Sequence, residues 1–390
     1  MAAFPFGAAP TYEGHFMFEL PAGESGVLPS HWLRKAIDAG VIDSEHYKIP
    51  EASIQPASLD LRLGDVAHRL RCSFLPDQHD VADKLADYGM DTLDLRDGAI
   101  LERNRPYLIP LIEEVALPAG VRAKANPKSS TGRLDIFTRV ITDKSFLFDE
   151  IEEAYTGRLY VEVVSRSFTI KVKTGLSLNQ LRLMAGANRF DDTDIRRLHA
   201  EDALLFIDGV VVPPADLAVG NGLFLSLDLT GDERGQVGYR AKKNSHLLDL
   251  SLLDHYDPDE FWEPVRREKG NRVVLEPEEF YLLLSHEGVR VPPSYAAEMT
   301  AYDPTSGELR THYAGFFDPG FGHGADPLTG SRAALEVRAH DVPFMVEHRQ
   351  PVCKLSFERM LETPSSLYGE GLSSHYQFQR GTLSKHFKRP

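Results

Sequence analysis

Short runs of Val, Leu, Ile, Tyr and Phe recur along both halves of the chain, separated by Gly, Pro, Asn and Asp. Several runs alternate apolar and polar positions, as in LYVEVV and SFTIKVK. This period of two predicts short antiparallel strands in a sandwich or barrel. Helical periodicity is sparse, and its clearest instance predicts a packing helix over residues 30–39, with Ser30 as its cap and Trp32 and Leu33 on its apolar face.

The two halves are similar in sequence. PYLIPLIEEVALPAGVRAKA aligns with EFYLLLSHEGVRVPPSYAAE, so that Tyr107 lies over Tyr281, 174 residues later. RLYVEVVSRSF aligns with RAALEVRAHDV at the same offset, which places Glu162 over Glu336. A register kept over this distance indicates an internal duplication.

Two further features locate the repeats. The tetrapeptide SLDL occurs at residues 58–61 and again at 226–229, an offset of 168 that implies a small change of length between the two matches. The polar run at residues 188–203 has the composition of a linker or surface helix. We therefore predict two domains, residues 1–205 and 206–390.

Length, composition and charge agree with this organisation. A chain of 390 residues exceeds the size at which one core stops growing, and 42% hydrophobic with 26% charged residues is typical of a folded globular protein. The formal net charge of −15 argues against a nucleic-acid partner. No run approaches the roughly 18 apolar residues of a membrane helix, and the N-terminus lacks the basic start of a secretory signal. With only Cys72 and Cys353, far apart, we expect a cytoplasmic protein without a membrane partner.

A basic island departs from the acidic average. Six basic and two acidic residues lie between Arg122 and Lys144, and the centre of the island reads PKSSTGR, residues 127–133. Serine hydroxyls and exposed amides donate to phosphate oxygens, and a guanidinium binds them bidentately. The segment is not a Walker loop, and a plain polar turn is the alternative interpretation.

Three other features could carry chemistry. Glu162 and Glu336 interrupt apolar strands at equivalent positions. Burying a carboxylate there costs free energy unless it is paired with a nearby arginine or takes part in function. The sequence Asp318-Pro-Gly-Phe321 predicts a tight turn. The polar, glycine-punctuated segment 367–390 is basic at its end and is either a tail that closes over an anionic ligand or a frayed terminus.

With SSTGR, the VEV strand, NQLRL at 179–183 and CKLSFERM at 353–360, the chain resembles the dCTP deaminase branch of the dUTPase superfamily. The motifs also occur in the family's order, and the resemblance covers roughly residues 50–185 and 225–385. It implies a fold dominated by β-structure: two tandem dUTPase-like, distorted, jelly-roll-like β-barrels with few short helices.

The resemblance also implies an activity, the hydrolytic deamination of dCTP to dUTP and ammonia, in which a glutamate and a serine hold the water that attacks C4. Zinc is not expected, since neither H-x-E nor P-C-x-x-C is present. Mg²⁺ is expected on the substrate triphosphate, without protein metal ligands. Family sites form between neighbouring barrels that assemble with threefold symmetry, which implies a homotrimer or a pseudo-trimeric assembly.

Residue roles follow from matching this sequence to the family motifs. Repeat one carries the serine–arginine loop at residues 127–133. Repeat two carries the Asp-Pro-Gly-Phe hairpin at residues 318–321 and the tail at residues 367–390, so we predict one composite site per chain. Glu336 is the predicted general base and acid, Ser129 positions water or binds phosphate, and Arg133 orients the water. Glu162 is a second catalytic glutamate or a vestige of the duplication. The predicted substrate-binding residues are Lys128, Ser130, Asp318, Phe321, Tyr368, His375, Gln379 and Lys385.

Three alternatives remain open at this stage. A dUTPase shares the fold and would use an aspartate such as Asp318 to activate water. A bifunctional enzyme would deaminate dCTP and also release pyrophosphate. A catalytically inactive nucleotide-binding regulator could arise by decay after duplication, although the set of Ser129, Arg133 and Glu336 argues against it.

Overall fold

The computed structural model describes residues 18–21, 23–301, 309–311, 315–324, 330–339, 341–369, 376–378 and 381–389. Within these ranges strands predominate and the helices are short. The predicted fold class, dominated by β-structure with few short helices, is confirmed. The helices are α1 (Ser30–Asp38), α2 (Val81–Tyr88), α3 (Ser129–Gly132), α4 (Asp192–Glu201) and α5 (Pro258–Phe261), with 3₁₀ turns at Glu51–Ser53 and Pro214–Asp216.

The strands of the first half form three sheets, and the third of them also contains β18 (Leu248–Asp249) of the second half. They are β1 (Gly26–Val27), β2 (Ile42–Asp43), β3 (Leu59–Arg62), β4 (Val66–Leu70), β5 (Gly89–Asp94), β6 (Ala99–Leu101), β7 (Tyr107–Ala116), β8 (Val121–Pro127), β9 (Ile136–Ile141), β10 (Glu150–Ile151), β11 (Thr156–Ser165), β12 (Ile170–Val172) and β13 (Ser177–Ala185). One sheet has the order β1-β13-β8-β10 with β3 on β13, and a second the order β5-β4-β7-β11-β9 with β2 on β7. The third is β18-β12-β6.

The second half repeats this arrangement. Its strands are β14 (Leu205–Ile207), β15 (Val210–Val211), β16 (Leu223–Ser226), β17 (Gln236–Ala241), β18 (Leu248–Asp249), β19 (Trp262–Arg266), β20 (Arg272–Leu275), β21 (Phe280–Val289), β22 (Tyr295–Ala301), β23 (Leu309–Thr311), β24 (Phe316–Phe317), β25 (Ser331–Ala339), β26 (Phe344–Glu347) and β27 (Pro351–Arg359). One sheet contains β15-β14-β21-β17-β19 with β25 on β21 and β23, and another has the order β16-β27-β22-β24.

Strand register confirms the duplication. Glu162 lies opposite Leu108 in the β11–β7 pair, and Glu336 lies opposite Leu282 in the β25–β21 pair. A side-chain contact is repeated as well. The hydroxyl of Tyr107 accepts a hydrogen bond from the amide of residue 102 at 3.2 Å, and the hydroxyl of Tyr281 accepts one from the amide of residue 276 at 2.9 Å. The two long strands of each barrel therefore descend from one ancestral pair.

The SLDL match does not share this structural equivalence. Leu181 and Leu355 are equivalent at the 174-residue offset. Leu59 lies opposite Leu181 in the first barrel, and Leu223 lies opposite Leu355 in the second. The structural offset of this strand is thus 164 rather than the 168 read from the sequence. Strand pairing, and not the identity of four residues, determines which side chains face the core.

Two hydrophobic clusters form the cores, and they do not divide the chain cleanly. The first consists mainly of first-half residues but includes Phe261, Trp262 and Phe387. The second includes Ile195 and Leu198 of α4 together with the apolar side chains of the second barrel. The domain boundary between residues 205 and 206 stays a prediction.

Helix α1 packs by the predicted face, with Trp32 and Leu33 buried. The prediction that Ser30 caps it is wrong: Ser30 is the first helical residue, and Pro29, in an extended conformation, precedes it. Proline has no side-chain acceptor that could cap the helix, and the amide of Ser30 donates instead to the carbonyl of Pro56 at 2.9 Å. Among the residues that the structure describes, no helix is long and apolar enough to cross a membrane.

Candidate active site

A cavity of about 220 Å³ lies where repeat one faces strand β25 and the C-terminal tail of repeat two. From repeat one it is lined by the polar side chains of Gln55, Asp60, Lys128, Ser129, Ser130, Arg133 and Gln180. Repeat two contributes those of Asp318, Glu336, Tyr368, Tyr376 and Lys385. The two repeats thus meet at one cavity, as the composite arrangement requires.

The serine–arginine segment forms a single tight turn at the end of β8. Helix α3 begins after Lys128, whose carbonyl accepts hydrogen bonds from the amides of Thr131 and Gly132 at 2.8 and 3.0 Å. The hydroxyl of Thr131 donates to the carbonyl of residue 178 at 2.9 Å and so fixes the turn to β13. Ser129 and Arg133 consequently reach the cavity from a short, rigid element.

Arg133 is buried in the cavity wall. Its guanidinium carbon lies 3.8 Å from the centre of the Tyr376 ring, and its Nη1 donates to the carbonyl of Thr382 at 3.2 Å. Its Nε is buried and has no hydrogen-bond partner among the described residues. Because a buried donor without a partner costs free energy, this group is suited to bind a water molecule or an anion.

Glu336 projects into the same cavity from the middle of β25. Burial raises its pKa to about 8, the guanidinium of Arg133 opposes the rise, and the carboxylate of Asp135 adds to it. Gly132 lies against this carboxylate: a Cβ atom placed on Gly132 would be 2.5 Å from Oε2 of Glu336. A carboxyl group with a pKa near neutrality is suited to both accept and donate a proton.

Glu162 occupies the equivalent strand position but does not line the cavity. Its side chain is 1% exposed and accepts a hydrogen bond from Ser73 Oγ at 3.0 Å. Phe74, next to this serine, and Phe148, which precedes β10, pack on a separate apolar cluster that includes Leu108. The corresponding space in repeat one is therefore filled by side chains.

The Asp-Pro-Gly-Phe turn supplies another carboxylate. The amide of Phe321 donates to the carbonyl of Asp318 at 3.1 Å, and Gly320 has a φ of 94°, which a glycine adopts without strain. Burial raises the pKa of Asp318 to about 6, and Arg182, which donates to Oδ1 at 3.3 Å, opposes the rise. Phe321 is buried against the ring of Tyr368, with ring centres 5.7 Å apart.

The described parts of the tail, residues 367–369, 376–378 and 381–389, are packed and not frayed. The amide of Tyr368 donates to the carbonyl of Pro319 at 2.8 Å, and the amide of Lys385 donates to the Tyr376 hydroxyl at 3.2 Å. Phe387 is 2% exposed and belongs to the first core cluster. Of the other predicted tail ligands, His375 and Gln379 lie outside the described residues.

Two ammonium groups flank one carboxylate in the cavity. Lys128 forms an ion pair with Asp60. Burial lowers the pKa of Lys385, the charge of Lys128 acts in the same direction, and Asp60 opposes it. Two cations placed this close together favour a polyanion between them.

Several residues at the cavity were not singled out from the sequence. Asp60 and Gln180 are on β3 and β13, and a signal for Asp60 exists, since an acidic residue interrupts the apolar strand LDL. Arg182, within the NQLRL segment, is fully buried and donates to Glu358 at 2.8 Å as well as to Asp318. Gln377 fixes the hairpin, accepting from the amide of Gly322 and donating to carbonyls of the turn. Nothing in the local sequence distinguishes it from its neighbours.

Comparisons with known proteins agree with the fold and the cavity. Residues 24–187 match the family model of the 2′-deoxycytidine 5′-triphosphate deaminase N-terminal domain, and residues 191–387 match that of the C-terminal domain. A crystal structure of 2′-deoxycytidine 5′-triphosphate deaminase from Agrobacterium tumefaciens superimposes with a TM-score of 0.81 at 45% identity, covering 88% of this chain and 100% of the other.

Shorter relatives align with about a third of the chain. A dUMP-forming dCTP deaminase of Methanothermobacter thermautotrophicus is 29% identical over 35% of this chain and 67% of its own length. One of Beutenbergia cavernae is 31% identical over 34% of this chain and 62% of its own length, so the match spans less than two thirds of that relative. The two family models together cover both barrels, and the structural match covers 88% of this chain, so the chain belongs to the 2′-deoxycytidine 5′-triphosphate deaminase family and is an enzyme of that class.

Proposed function

We propose that the chain deaminates dCTP to dUTP and ammonia, with Glu336 activating the attacking water. The observation that carries this proposal is the meeting, in one cavity, of a buried glutamate from repeat two and a buried arginine from repeat one whose Nε has no partner among the described residues. In the described part of the chain, neither repeat supplies both groups to the cavity. The site is therefore a product of the contact between the barrels.

In the proposed reaction the Glu336 carboxylate takes a proton from water, and the oxygen of that water bonds to C4 of the cytosine ring. The proton passes to N3 of the ring, and the second proton of the attacking water then reaches the amino group through Glu336. The C4–N bond breaks and ammonia leaves, so that one water is consumed for each ammonia released. Ser129 and Arg133 hold the water by hydrogen bonds, and the charge of Arg133 favours the carboxylate form of Glu336.

The phosphates are assigned to the end of the cavity that holds Lys128 and Lys385, with Ser130 beside them. Mg²⁺ would be carried by the phosphate oxygens, whose charge it neutralises. Oδ1 of Asp60 is buried without a hydrogen-bond partner among the described residues, so this carboxylate could hold a water of the ion. We expect a chelated enzyme to recover fully with Mg²⁺ and to need no zinc.

One cluster of potential metal ligands in the described part of the chain does not contribute to this proposal. Asp228, His286 and His348 lie close together outside the cavity. Asp228 is paired with Arg332, and Nε2 of His286 already accepts from Arg349. A cation at this position would be close to two guanidinium groups.

A second candidate function is formation of dUMP from dCTP, with release of both ammonia and pyrophosphate. The names of the shorter relatives favour it, since they are described as dUMP-forming. A dUTPase without deaminase activity would release pyrophosphate from dUTP and no ammonia from dCTP. The cytoplasmic location and the trimeric or pseudo-trimeric assembly stay predictions.

Measurement of both products separates these reactions. Purified protein, chelated and then given Mg²⁺, is incubated with dCTP and separately with dUTP while ammonia and pyrophosphate are followed together. We expect ammonia from dCTP at the rate of dUTP formation, and no pyrophosphate from either nucleotide. Equal amounts of ammonia and pyrophosphate from dCTP would replace the proposal with the dUMP-forming reaction, and absence of ammonia would refute deamination.

The raised pKa of Glu336 predicts the pH dependence. Since kcat/KM reports ionisations of the free enzyme and a general base must be deprotonated, kcat/KM for dCTP is expected to fall by about tenfold per pH unit below about pH 8 and to level off above it. Nucleotide binding to Glu336→Gln, measured over the same range, corrects for any pH dependence of binding. A profile that is flat between pH 6 and 9 after this correction would contradict the role of Glu336 as base.

A further inference from the structure

A buried ion pair joins the two repeats beside the cavity. Asp135, two residues after Arg133, and Arg338, two residues after Glu336, form this pair and are 1% and 4% exposed. The hydroxyl of Ser167 donates to the same Oδ2 of Asp135 at 2.5 Å. The carboxylate oxygen thus accepts from two side chains, and both charges of the pair are withdrawn from solvent.

Asp135 is also fixed through its backbone. It has a φ of 56°, its amide donates to the carbonyl of Gly132 at 2.9 Å, and its carbonyl accepts from the amide of Arg166 at 2.9 Å. Its carboxylate therefore has a defined position relative to the α3 turn that carries Ser129 and Arg133.

Arg338 is fixed relative to Glu336 by the strand. Residues two apart on a strand lie on the same face, so Glu336 and Arg338 project from β25 in the same direction. Arg338 also donates to the backbone carbonyl of Glu278. The Asp135–Arg338 ion pair therefore connects the same two segments that carry Arg133 and Glu336, one from each repeat.

The duplication provides an internal comparison. At the 174-residue offset the counterpart of Glu336 is Glu162, and the counterpart of Arg338 is Val164. In repeat one, where Glu162 faces Ser73 and an apolar cluster, the position equivalent to Arg338 is thus a valine. The arginine is present where the glutamate lines the cavity.

We infer that Asp135 and Arg338 are positioning residues, whose ion pair holds Arg133 of repeat one against Glu336 of repeat two in the geometry that deamination requires. This inference rests on the proposed function. The charged groups that act on Glu336 are Arg133, which favours its ionisation, and Asp135, which opposes it. Tyr368 and Tyr376 of the tail face Arg133. Arg338 neutralises Asp135 and so limits its effect on Glu336.

The two partners should consequently shift the pH profile in opposite directions. Asp135→Asn keeps the shape of the side chain and removes the negative charge. The acid limb of the profile, which is the pH range where kcat/KM falls as the pH is lowered, is therefore expected to move to lower pH by about one unit. Arg338→Gln leaves Asp135 without its counter-charge, and the limb is expected to move up by a similar amount. In both variants kcat at the optimum falls by about tenfold to a hundredfold, while KM for dCTP changes little. The double variant returns the limb towards the wild-type pH.

Another inter-repeat ion pair supplies the control. Lys124 and Glu298, which is 1% exposed, pair across the two barrels but do not line the cavity. Glu298→Gln is expected to lower the melting temperature without moving the acid limb. Arg338→Lys, which retains the charge, is expected to keep the limb close to its wild-type position even where Arg338→Gln folds poorly.

An infrared titration of the Glu336 carboxyl, taken as a difference against Glu336→Gln, measures the same shifts without substrate. Opposite displacements in Asp135→Asn and Arg338→Gln would support the inference. If both variants lose stability while the carboxyl titrates at the wild-type pH, the pair is only a structural tie and the inference is overturned. Failure of wild-type protein to release ammonia from dCTP would refute the proposed function and leave this titration as the separate test of positioning.

Discussion

Glu336→Gln is expected to abolish measurable ammonia release from dCTP, with kcat lowered by about 10²–10⁴-fold. Glutamine has nearly the size of glutamate and retains a carbonyl oxygen that accepts hydrogen bonds. It cannot take a proton from water or return one to the leaving amino group. The cavity and the nucleotide-binding groups are unchanged, so KM or the dissociation constant for dCTP should change little. Steady-state ammonia release and equilibrium binding of dCTP measure the two quantities separately.

The duplication supplies a matched control for this variant. Glu162 has the same strand register and is also buried, but it accepts a hydrogen bond from Ser73 outside the cavity. Glu162→Gln is therefore expected to leave kcat and KM at their wild-type values. Equal losses in the two variants, or a loss confined to Glu162→Gln, would overturn the composite site and return attention to repeat one.

Stability measurements distinguish loss of chemistry from loss of the fold. The pKa of Glu336 is about 8 in the folded protein against a usual value of 4.5, so the folded state binds more protons between these values. The free energy of unfolding of wild-type protein then decreases as the pH rises from about 4.5 to about 8. The amide has no such dependence. Glu336→Gln should match wild-type protein near pH 5 and melt at a higher temperature than wild-type protein near pH 9.

Local sequence patterns were sufficient to predict short antiparallel strands in a sandwich or barrel and to mark the main parts of the cavity. Alternation of apolar residues and the 174-residue register identified the long strands, because both signals arise from side chains that must face one core. The turn containing Ser129 and Arg133 and the glutamate of β25 were recognisable because each departs from its surroundings in charge. Their meeting in one cavity required the family resemblance, since no local pattern specifies the contact between barrels.

What the sequence could not supply was long-range pairing. Arg182 lies 136 residues from Asp318 and Arg338 lies 203 residues from Asp135, and neither arginine is distinguished by its neighbours. The burial of Glu162 was also hidden, because it depends on Ser73 from a segment 89 residues away. SLDL illustrates the opposite error, in which an identical tetrapeptide occupies positions that the strand pairing does not make equivalent. In each case the deciding interaction joins residues that are distant in sequence.

Gly132→Ala is expected to lower kcat by about a hundredfold while the protein stays folded. Gly132 is the last residue of α3, with a backbone conformation that alanine also adopts. A Cβ atom there would lie 2.5 Å from Oε2, 2.7 Å from Oε1 and 2.8 Å from Cδ of Glu336. These separations are too short for non-bonded atoms, and the end of the glutamate side chain can move more easily than the backbone of the turn. The carboxylate is therefore displaced from the water it activates.

Folding should not suffer from this change. Alanine is the better helix former and restricts the unfolded chain more than glycine does, so the melting temperature is expected to stay the same or rise. A large fall in melting temperature would mean that the backbone of the turn yields instead of the carboxylate, and would remove the case for a specific effect on Glu336.

A double-mutant cycle with Glu336→Asp tests the contact directly. Aspartate is shorter by one methylene and withdraws the carboxylate from the space that the new methyl group occupies. Glu336→Asp is itself expected to be slow, because its carboxylate no longer reaches the water. In that background, however, Gly132→Ala should cost little further activity, since the atoms it would displace are absent. Effects of the two substitutions that simply multiply would show that Gly132 and Glu336 act independently, contrary to the packing seen in the cavity.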